Sequence, residues 1–527
     1  MSCITRQHVG KYIYLYESTS YWDKEKGSRN KKVAIGHIDL ESGKAVYKPE
    51  YLTRTNADNR SHEILQQELM EALNSVKDFG VSYFLLSIAS KIGLSKVLKQ
   101  SIPQHWQKIL TLACYLVAYD KAVMYCDDWS SSNDGFDTDD MSSQRVSELL
   151  ASISFKERQD FHRDWYKHIR EQECLALDIT SVSSYSQQIT DCEWGYNRDH
   201  EDLPQINICM FFGESSRLPV YQTEYSGSLR DLSTLDSTIA EFTATVGAIE
   251  YSLVMDKGFY RERNVNMLLE REGCKFLLPV SFTSKFALKQ IESESKDIDQ
   301  LDHVIHTTGM PIRGVCKLRS WGKDGKKLYT HVYYDPEKAL KDRDELYEFV
   351  TRLQELVMQS LDKKEDAPAI KKYLIVRKSE TASGGLTVNI RKDAVDKTLK
   401  TSGWLVLLSN HISDSQEALD IYRIKDVVEK GFWKYKNNLG LDRLHVHTDE
   451  RVQNKIFVSF IALILESHIH NIMDKKVLYN RWTFDRLLIV LAKLKVFTVN
   501  GTRILRPLTK EQRNIFEAFD IELPSTC

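Results

Sequence analysis

Glu429 lies in a segment where helical spacing gives it cationic and aromatic neighbours. Tyr422 and Lys425 precede it by seven and four residues, and Lys436 follows it by seven, so all four side chains fall on one stripe of an α-helix. On such a stripe the carboxylate could bind a metal ion while the lysines contact phosphate groups. A solvated face with ordinary salt bridges gives the same pattern and remains an alternative.

Two aspartates in predicted strands are the candidates to join Glu429. Asp178 lies in the predicted strand from Leu175 to Ile179, and Asp256 ends the predicted strand in YSLVMDKGFY. Carboxylates that meet without a counter-charge repel one another, so three of them form a natural site for Mg²⁺. Two such ions about 3.5–4 Å apart can activate a nucleophile and stabilise the leaving oxygen of a phosphoryl transfer. Either aspartate taken alone is more simply a turn-former.

Other patterns typical of metal sites are weaker. The pairs His445/His447 and His468/His470 point to different faces when they are helical, and no cysteine or carboxylate completes a ligand set. We therefore favour surface or packing roles for them. The nine cysteines are scattered without a CxxC pair, which suits reduced core thiols.

A mixed sheet with helices is predicted around the two aspartates. The pattern from residue 175 to residue 280 reads strand, strand, strand, helix, strand, helix, strand, which is typical of an α/β domain. The run WLVLLS, Trp404 to Ser409, returns to this sheet. A single amphipathic helix from Ile421 to Leu441 then carries Glu429. Its buried stripe is predicted to consist of Ile421, Ile424, Val428, Phe432, Tyr435 and Leu439.

The segment between these two parts of the sheet has a different pattern. It contains alternating strands from Arg313 to Trp321 and from Leu328 to Tyr334, a charged helix from Pro336 to Leu361, and two later strands. We interpret residues 281–402 as an insertion that departs from the core sheet and is rich in β structure, lysine and arginine.

The N-terminal part begins with two short strands, Tyr12 to Tyr16 and Val33 to Ile38, around a basic loop from Asp23 to Lys32. This loop could follow a phosphate backbone or simply be solvated. A capped helix is predicted from Ser61, and further helices follow as far as residue 169. The last two, Gln144 to Ile153 and Phe155 to Ile169, could form a DNA-reading helix-turn-helix, although such helix pairs are common.

The length of 527 residues exceeds one ordinary core. The net charge of −2 does not indicate a nucleic-acid partner, so any such partner must meet local basic patches. We find no leader segment and no apolar run long enough to span a bilayer, and we expect a cytoplasmic protein without membrane contact. The predicted boundaries are 1–56 for a small β element, 57–170 for a helical DNA-binding region, 171–280 and 403–475 for the two parts of a catalytic core, 281–402 for the insertion and 476–527 for a C-terminal helical region.

The three acids and their contexts resemble those of the DDE transposases of bacterial insertion sequences. The group of the insertion-sequence-four type is recognised by Tyr-x2-Arg-x3-Glu-x6-Lys, and this chain keeps that spacing around Glu429 with Lys425 in place of the arginine. The family's second aspartate lies in Asp-x-Gly-Phe/Tyr, seen here as DKGF from Asp256, and its first in Asp-x-Thr/Ser, seen here as DIT from Asp178. The N-terminal SYWDKEKGSRNKKVAIGHID is similar to one large subgroup.

The resemblance implies a fold and an activity. The fold would be mixed α/β, with a ribonuclease-H-like catalytic core, a β-rich insertion and a mainly helical N-terminal DNA-binding region. The protein would be a bacterial, nucleoid-associated transposase that binds the terminal inverted repeats of its element and a target DNA. A homodimer would assemble with two DNA ends and carry out metal-dependent cut-and-paste strand cleavage and transfer.

The resemblance also implies roles for individual residues. Asp178, Asp256 and Glu429 would be the catalytic residues and would hold two Mg²⁺ ions, for which Mn²⁺ could substitute. Lysine keeps the charge of arginine but loses its bidentate fork, so Arg423 could share the phosphate contact. The DNA-contacting set is therefore Tyr422, Arg423, Lys425 and Lys436.

Two other readings remain open. One is a catalytically inactive DNA-binding relic or regulator of the same fold, and the other is a nuclease that cuts without joining. The three intact acids favour the active transposase over the relic. The nuclease would share the metal site and differ only in its product.

Overall fold

The structure is a computed structural model. It describes residues 2–24, 26–119, 121–136, 140–169, 174–199, 201–229, 231–306, 310–322, 325–359, 367–378, 386–423, 425–441 and 443–525. The chain forms two compact units. The first comprises Met1–Phe79, Ala492–Lys510 and Leu523–Cys527, and the second comprises Gly80–Leu491 and Glu511–Glu522.

Both units contain strands and helices, numbered here in chain order. The strands are β1 Ser2–Val9, β2 Tyr12–Asp23, β3 Gly27–Ile38, β4 Ala45–Tyr47, β5 Lys77–Asp78, β6 Leu175–Ser183, β7 Gln205–Gly213, β8 Pro219–Ser226, β9 Tyr251–Met255, β10 Cys274–Pro279, β11 Val304–Ile305, β12 Ile312–Trp321, β13 Lys326–Tyr334, β14 Leu374–Lys378, β15 Leu386–Ile390, β16 Trp404–Ser409, β17 Lys495–Val499 and β18 Thr502–Leu505. The helices are α1 Pro49–Asn74, α2 Gly80–Lys91, α3 Leu94–Ser101, α4 Trp106–Tyr119, α5 Cys126–Ser132, α6 Ser143–Ser152, α7 Phe155–Ile169, α8 Asp231–Val246, α9 Glu262–Glu270, α10 Lys285–Glu294, α11 Pro336–Met358, α12 Ala367–Tyr373, α13 Lys392–Leu399, α14 Ser415–Arg423, α15 Lys425–Asn437, α16 Asp449–Lys475, α17 Phe484–Ala492 and α18 Lys510–Ala518.

A sheet of nine described strands forms the centre of the second unit, in the order β11-β12-β13-β16-β10-β9-β6-β7-β8. Strand β9 pairs in parallel with both β6 and β10, whereas the other described neighbours are antiparallel. The predicted succession of strands and helices from residue 175 to residue 280 is confirmed, as is the mixed α/β class. Strands β7 and β9 are buried along their whole length, which is typical of central strands that are covered on both faces.

Residues 281–402 were predicted to form an insertion that departs from the core sheet, but their first strands, β11 to β13, extend that sheet. Strand β13 pairs with β16 from Tyr329 to Tyr334, and β12 pairs with β13 in turn. Leu328 and Val332 of β13 belong to the same hydrophobic core as β6 and β9, which explains why the hairpin joins this edge. Periodicity identifies these strands but not their partners, so the prediction was wrong on this point. The later part of the segment, α11–α13 with β14 and β15, has a hydrophobic cluster of its own.

The helix predicted from Ile421 to Leu441 corresponds to the end of α14, up to Arg423, and to α15, from Lys425 to Asn437; residue 424 lies outside the described residues. Phe432, Tyr435 and Leu439 are buried as predicted. Ile421 is partly buried. The side chains of Ile424 and Val428 are not described. The Tyr435 hydroxyl secures α15, because it donates to the Ile456 carbonyl oxygen at 2.8 Å and lies 3.0 Å from the side-chain amide of Gln222.

Helix α16 is the most apolar long helix among the described residues. By length and composition alone it could cross a membrane, contrary to our expectation that no segment could, and two bent helix pairs pass the same test if each pair counts as one span. However, 78% of its apolar window is buried inside the protein. It packs against α4, α6, β8 and α15, so its apolar surface is used in the core of the second unit.

Helices α1 to α7 lie between Pro49 and Ile169, with the short strand β5 between α1 and α2. The assignment of residues 57–170 to a DNA-binding region stays a prediction. In the first unit, β1–β4 form one sheet and β18, β17 and β5 form another. Two expectations were wrong here. Helix α1 begins at Pro49 rather than Ser61, with proline in its first turn, where the missing N–H is not needed. Most of the predicted basic loop belongs to β3, since charged residues are tolerated in a strand that is exposed on both faces.

Candidate active site

The parallel register of β6 and β9 brings two aspartates side by side. Leu177 pairs with Met255, and the next residue on each strand is Asp178 and Asp256, respectively. Neighbouring strands lie about 4.7–4.9 Å apart, so the two carboxylates share one edge of the parallel pairing. The sequence-based expectation that these two acids lie close together is met by the pairing of their strands.

Asp178 lies in the middle of β6, opposite Met210 of β7, because β6 continues past the predicted end at Ile179 to Ser183. Its Oδ1 accepts a hydrogen bond from the Ile179 backbone N–H at 2.8 Å. Burial raises the pKa of Asp178 to about 6, and the negative charge of Asp256 acts in the same direction. The Ile179 hydrogen bond and the positive charges of Lys425 and Arg198 oppose this rise. Asp178 therefore gains from a cation close to its carboxylate.

Asp256 directly follows β9 and precedes a 3₁₀ turn, Lys257–Phe259. Burial by itself would raise its pKa, but the hydrogen bond and charge of Lys425 outweigh burial and lower it. The backbone N–H groups of Lys257 and Gly258 also donate to the carboxylate and add to the lowering. The two neighbouring aspartates thus have pKa values shifted in opposite directions.

Lys425 connects Asp256 to Glu429. Its Nζ donates to Asp256 Oδ1 at 2.8 Å and lies 2.8 Å from Glu429 Oε1, which is one helical turn further along α15. The Lys425 side chain is only 14% exposed, whereas that of Glu429 is 56% exposed. Burial would lower the pKa of Lys425, but the two carboxylates raise it well above its usual value. Asp256, Lys425 and Glu429 are therefore in contact, with the ammonium group of Lys425 between the two carboxylates.

Lys436, the last member of the predicted stripe, faces a different acid. Its Nζ donates to both carboxylate oxygens of Asp199, at 2.6 and 2.7 Å. Burial lowers the pKa of Lys436, while Asp199 opposes that shift. Of the two remaining predicted DNA contacts, Arg423 is exposed and Tyr422 packs partly buried against a cluster of the sheet.

The connection between β6 and β7 supplies charged residues that sequence reasoning missed. Besides Asp199, it carries Arg198, which donates to Ser181 Oγ at 3.1 Å, and Glu201, which accepts from Arg443 at 2.6 Å. A signal was present, since the run NRDHED from Asn197 to Asp202 concentrates charges between two apolar strands. Its partners, Lys436 and Arg443, lie more than 200 residues away in sequence, which no local pattern reveals.

The three acids suggest a metal site, and their surroundings fit a cation in part. Among the described residues, no group of three His, Cys, Asp or Glu side chains lies close enough together to hold a metal ion. However, the Lys425 ammonium lies where a cation would have oxygen ligands from both Asp256 and Glu429. Asp178 beside them adds a third carboxyl group that burial has made costly to ionise. These oxygen donors suit a hard divalent cation in place of the ammonium.

Trp321, considered above as part of the insertion, has a packing role. It is buried, donates its Nε1–H to Asn266 Oδ1 at 2.7 Å and packs edge-on against Phe286. The Trp321 ring therefore packs inside the second unit. It belongs to the same hydrophobic core as β6 and β9, so this core reaches as far as β12.

Comparison with known proteins identifies the family. A family model described as "Transposase DDE domain" matches residues 169–465, which include Asp178, Asp256 and Glu429. No curated protein matches the sequence. Among solved structures, the cryo-EM structure of a piggyBac transposase synaptic complex with hairpin DNA has 11% sequence identity and a TM-score of 0.33, covering 77% of this chain and 70% of that chain. Because the family model spans more than half of the 527 residues, this chain belongs to the transposases with a DDE domain.

Proposed function

We propose that this protein is an active transposase whose catalytic residues are Asp178, Asp256 and Glu429. The observation that carries the proposal is the parallel register that sets Asp178 beside Asp256, with Glu429 joined to Asp256 through the Lys425 ammonium. The protein would bind the terminal inverted repeats of its element, cut at their ends and transfer them to a target DNA. It would act as a homodimer in the bacterial nucleoid.

The order of the central strands supports a ribonuclease-H-like core. Three antiparallel strands, β8, β7 and β6, are followed in the sheet by β9 and β10, which run parallel to β6. We assign this core to residues 171–280 and 403–475. Residues 57–170 are assigned to a helical DNA-binding region, and residues 476–527 to a C-terminal region.

Asp178, Asp256 and Glu429 would hold Mg²⁺, as one ion or two, with Mn²⁺ as a substitute. When bound, the metal would polarise phosphate oxygens and lower the pKa of an attacking water or hydroxyl group. The chain's own contribution is to hold the carboxylates on β6, β9 and α15 and to neutralise them with Lys425 when no metal is present. Tyr422, Arg423 and Lys436 would contact the DNA beside them. The spacing of Tyr422, Lys425, Glu429 and Lys436 supports these roles, because it is that of the insertion-sequence-four type signature, with Lys425 in place of arginine.

The test is cleavage of labelled duplex DNA that carries the sequences flanking the coding region, with and without Mg²⁺. We expect the wild type to cut at the element boundary only with the metal, and Asp256→Asn and Asp178→Asn to bind the same DNA without cutting it. The matched control is Asp236→Asn, an exposed acid that pairs with Arg271, and it should cut normally. Cutting by Asp256→Asn at the wild-type rate would contradict the proposal.

One observation favours the inactive regulator as a second candidate. The Lys425 ammonium already compensates Asp256 and Glu429, so the site is electrically satisfied without a metal. A regulator would bind the flanking DNA with or without Mg²⁺ and never cut it. Cutting without joining in the same assay would instead identify a nuclease.

A further inference from the structure

The hairpin of β2 and β3 projects beyond the sheet of the first unit. Strand β1 pairs with β2 only as far as Thr19, and β4 pairs with β3 only from Gly36 onwards. The hairpin itself continues to the pair of Asp23 with Gly27. We call residues 19–33 the ribbon arm, and over most of its length the described structure is two-stranded.

Both faces of the ribbon arm are exposed to solvent. Every described residue from Thr19 to Val33 is exposed except Asp23 and Gly27, which are partly buried. Tyr21 is 51% exposed and Trp22 is 76% exposed. A two-stranded hairpin without a hydrophobic face is marginally stable in water, so exposed aromatic rings at its end indicate a surface made for a partner.

The charge of the ribbon arm identifies the kind of partner. It carries five cations against two acids, Asp23 and Glu25, in a chain whose net charge is −2. The cations are Lys24, Lys26, Arg29, Lys31 and Lys32. The arm is thus positively charged, although the whole chain is nearly neutral. Such a basic patch attracts a polyanion.

The register distributes these side chains over both faces and the tip. Tyr21 pairs with Arg29 and Thr19 with Lys31, so these four side chains share one face. The opposite face carries Trp22 paired with Ser28, Ser20 paired with Asn30, and Lys32. Each face therefore combines an aromatic ring, a cation and small polar side chains that can donate and accept hydrogen bonds.

We propose that the ribbon arm binds double-stranded DNA by lying in its major groove. Two strands about 4.8 Å apart fit a groove about 12 Å wide, which admits a two-stranded ribbon. The cations reach the phosphates on either side, while Asn30 and the hydroxyl groups face the base edges. This contact is separate from the carboxylate site, and it requires DNA binding but no cleavage.

The test is DNA binding by the full-length protein as salt is varied. The probe is a duplex taken from the DNA that flanks the coding region, and a scrambled duplex serves for comparison. Arg29→Gln, Lys31→Gln and Lys32→Gln are combined in one variant. Because the slope of log K against log salt is about −0.9 per phosphate contact, losing three contacts should make it shallower by about 2.7.

The matched control removes three cations from the same unit outside the arm. Lys11, Lys44 and Lys48 are exposed at turns and at the start of α1, so Lys11→Gln, Lys44→Gln and Lys48→Gln together change the net charge equally. We expect the control to keep the wild-type slope. Equal slopes for the arm variant and the wild type, or equal losses in both triple variants, would overturn the proposal and leave an acidic protein as the partner to seek.

A second readout uses the aromatic ring of the arm. Trp22→Phe should remove a DNA-dependent component of the tryptophan fluorescence, because Trp22 is the most exposed of the described tryptophans. An unchanged fluorescence response would contradict contact with the arm. Failure of cleavage together with a shallower slope in the arm variant would reject the proposed transposase activity and leave the ribbon arm proposal standing.

Discussion

Lys425 of α15 donates a hydrogen bond at 2.8 Å to Asp256, the residue that directly follows strand β9 of the central sheet. The same ammonium group lies 2.8 Å from Glu429 on its own helix. One cation thereby ties α15 to the end of β9 and compensates two carboxylates at once. Without this ammonium group, Asp256 and Glu429 would carry uncompensated negative charge.

Lys425→Met should destabilise the protein when a chelator removes divalent metal. The substitution keeps most of the side-chain bulk but leaves Asp256, which is 28% exposed, without its counter-charge. We expect a loss of about 1–3 kcal/mol in the free energy of unfolding, less than for a fully buried pair. Millimolar Mg²⁺ should raise the melting temperature of the variant more than that of the wild type. Lys430→Met, at an exposed position of the same helix, is the control, and an equal Mg²⁺ response in all three proteins would contradict the role of Lys425.

Asp178→Asn should change the pH dependence of stability in metal-free buffer. The pKa of Asp178 is raised to about 6, above the usual 3.9, so the folded state binds this proton more tightly than the unfolded state. The ionised carboxylate thus costs stability above about pH 6, and this cost disappears as pH falls to about 4. Asn cannot ionise and does not bear this cost. The free energy of unfolding of the variant, relative to that of the wild type, should therefore be about 2–3 kcal/mol higher at pH 7.5 than at pH 4. Urea unfolding at several pH values measures the difference, and parallel profiles would count against the raised pKa.

Much of the core was predictable because it depends on local periodicity. Apolar runs gave β6 to β10 and the helices between them, and the succession of strands suggested that Asp178 and Asp256 would be neighbours. The spacing of Lys425 and Glu429 is likewise a local property, and their contact follows from one helical turn. These features lie on single elements or on strands that pair within the same α/β unit.

The contacts between distant segments were not predictable. Nothing local indicates that β13 pairs with β16, since any exposed strand edge offers the same hydrogen bonds. The pairing of Lys436 with Asp199 depends on a connection of more than 20 residues whose path periodicity does not determine. For this reason Lys436 was placed beside the three acids, whereas the structure directs it to the β6–β7 connection.

Gly431→Ala should displace α15 from the sheet. A methyl group at Gly431 would lie 2.3 Å from Phe212 Cζ of β7, well inside van der Waals contact. The overlap should cost about 1–3 kcal/mol, which outweighs the gain of up to about 1 kcal/mol in helix propensity. Cleavage should also fall, because Glu429 lies two residues away on the same helix. Combining Gly431→Ala with Phe212→Leu should restore part of both losses, and strictly additive effects would show that the two residues do not interact.

Asp199→Asn should strengthen DNA binding if Lys436 contacts phosphate as proposed. Asp199 holds the Lys436 ammonium with both carboxylate oxygens, so a contact between Lys436 and phosphate must first break that pair. Asp199 is 40% exposed, which limits the pair to roughly 1 kcal/mol and the expected gain to about fivefold in affinity. Lys436→Gln should weaken binding and make the salt slope shallower by about 0.9. The control, Asp302→Asn, removes an exposed acid from the 3₁₀ turn Leu301–His303 and reports the general effect of one negative charge. Equal gains for Asp199→Asn and the control would show that Asp199 acts only through net charge, and an unchanged slope for Lys436→Gln would remove Lys436 from the DNA-contacting set.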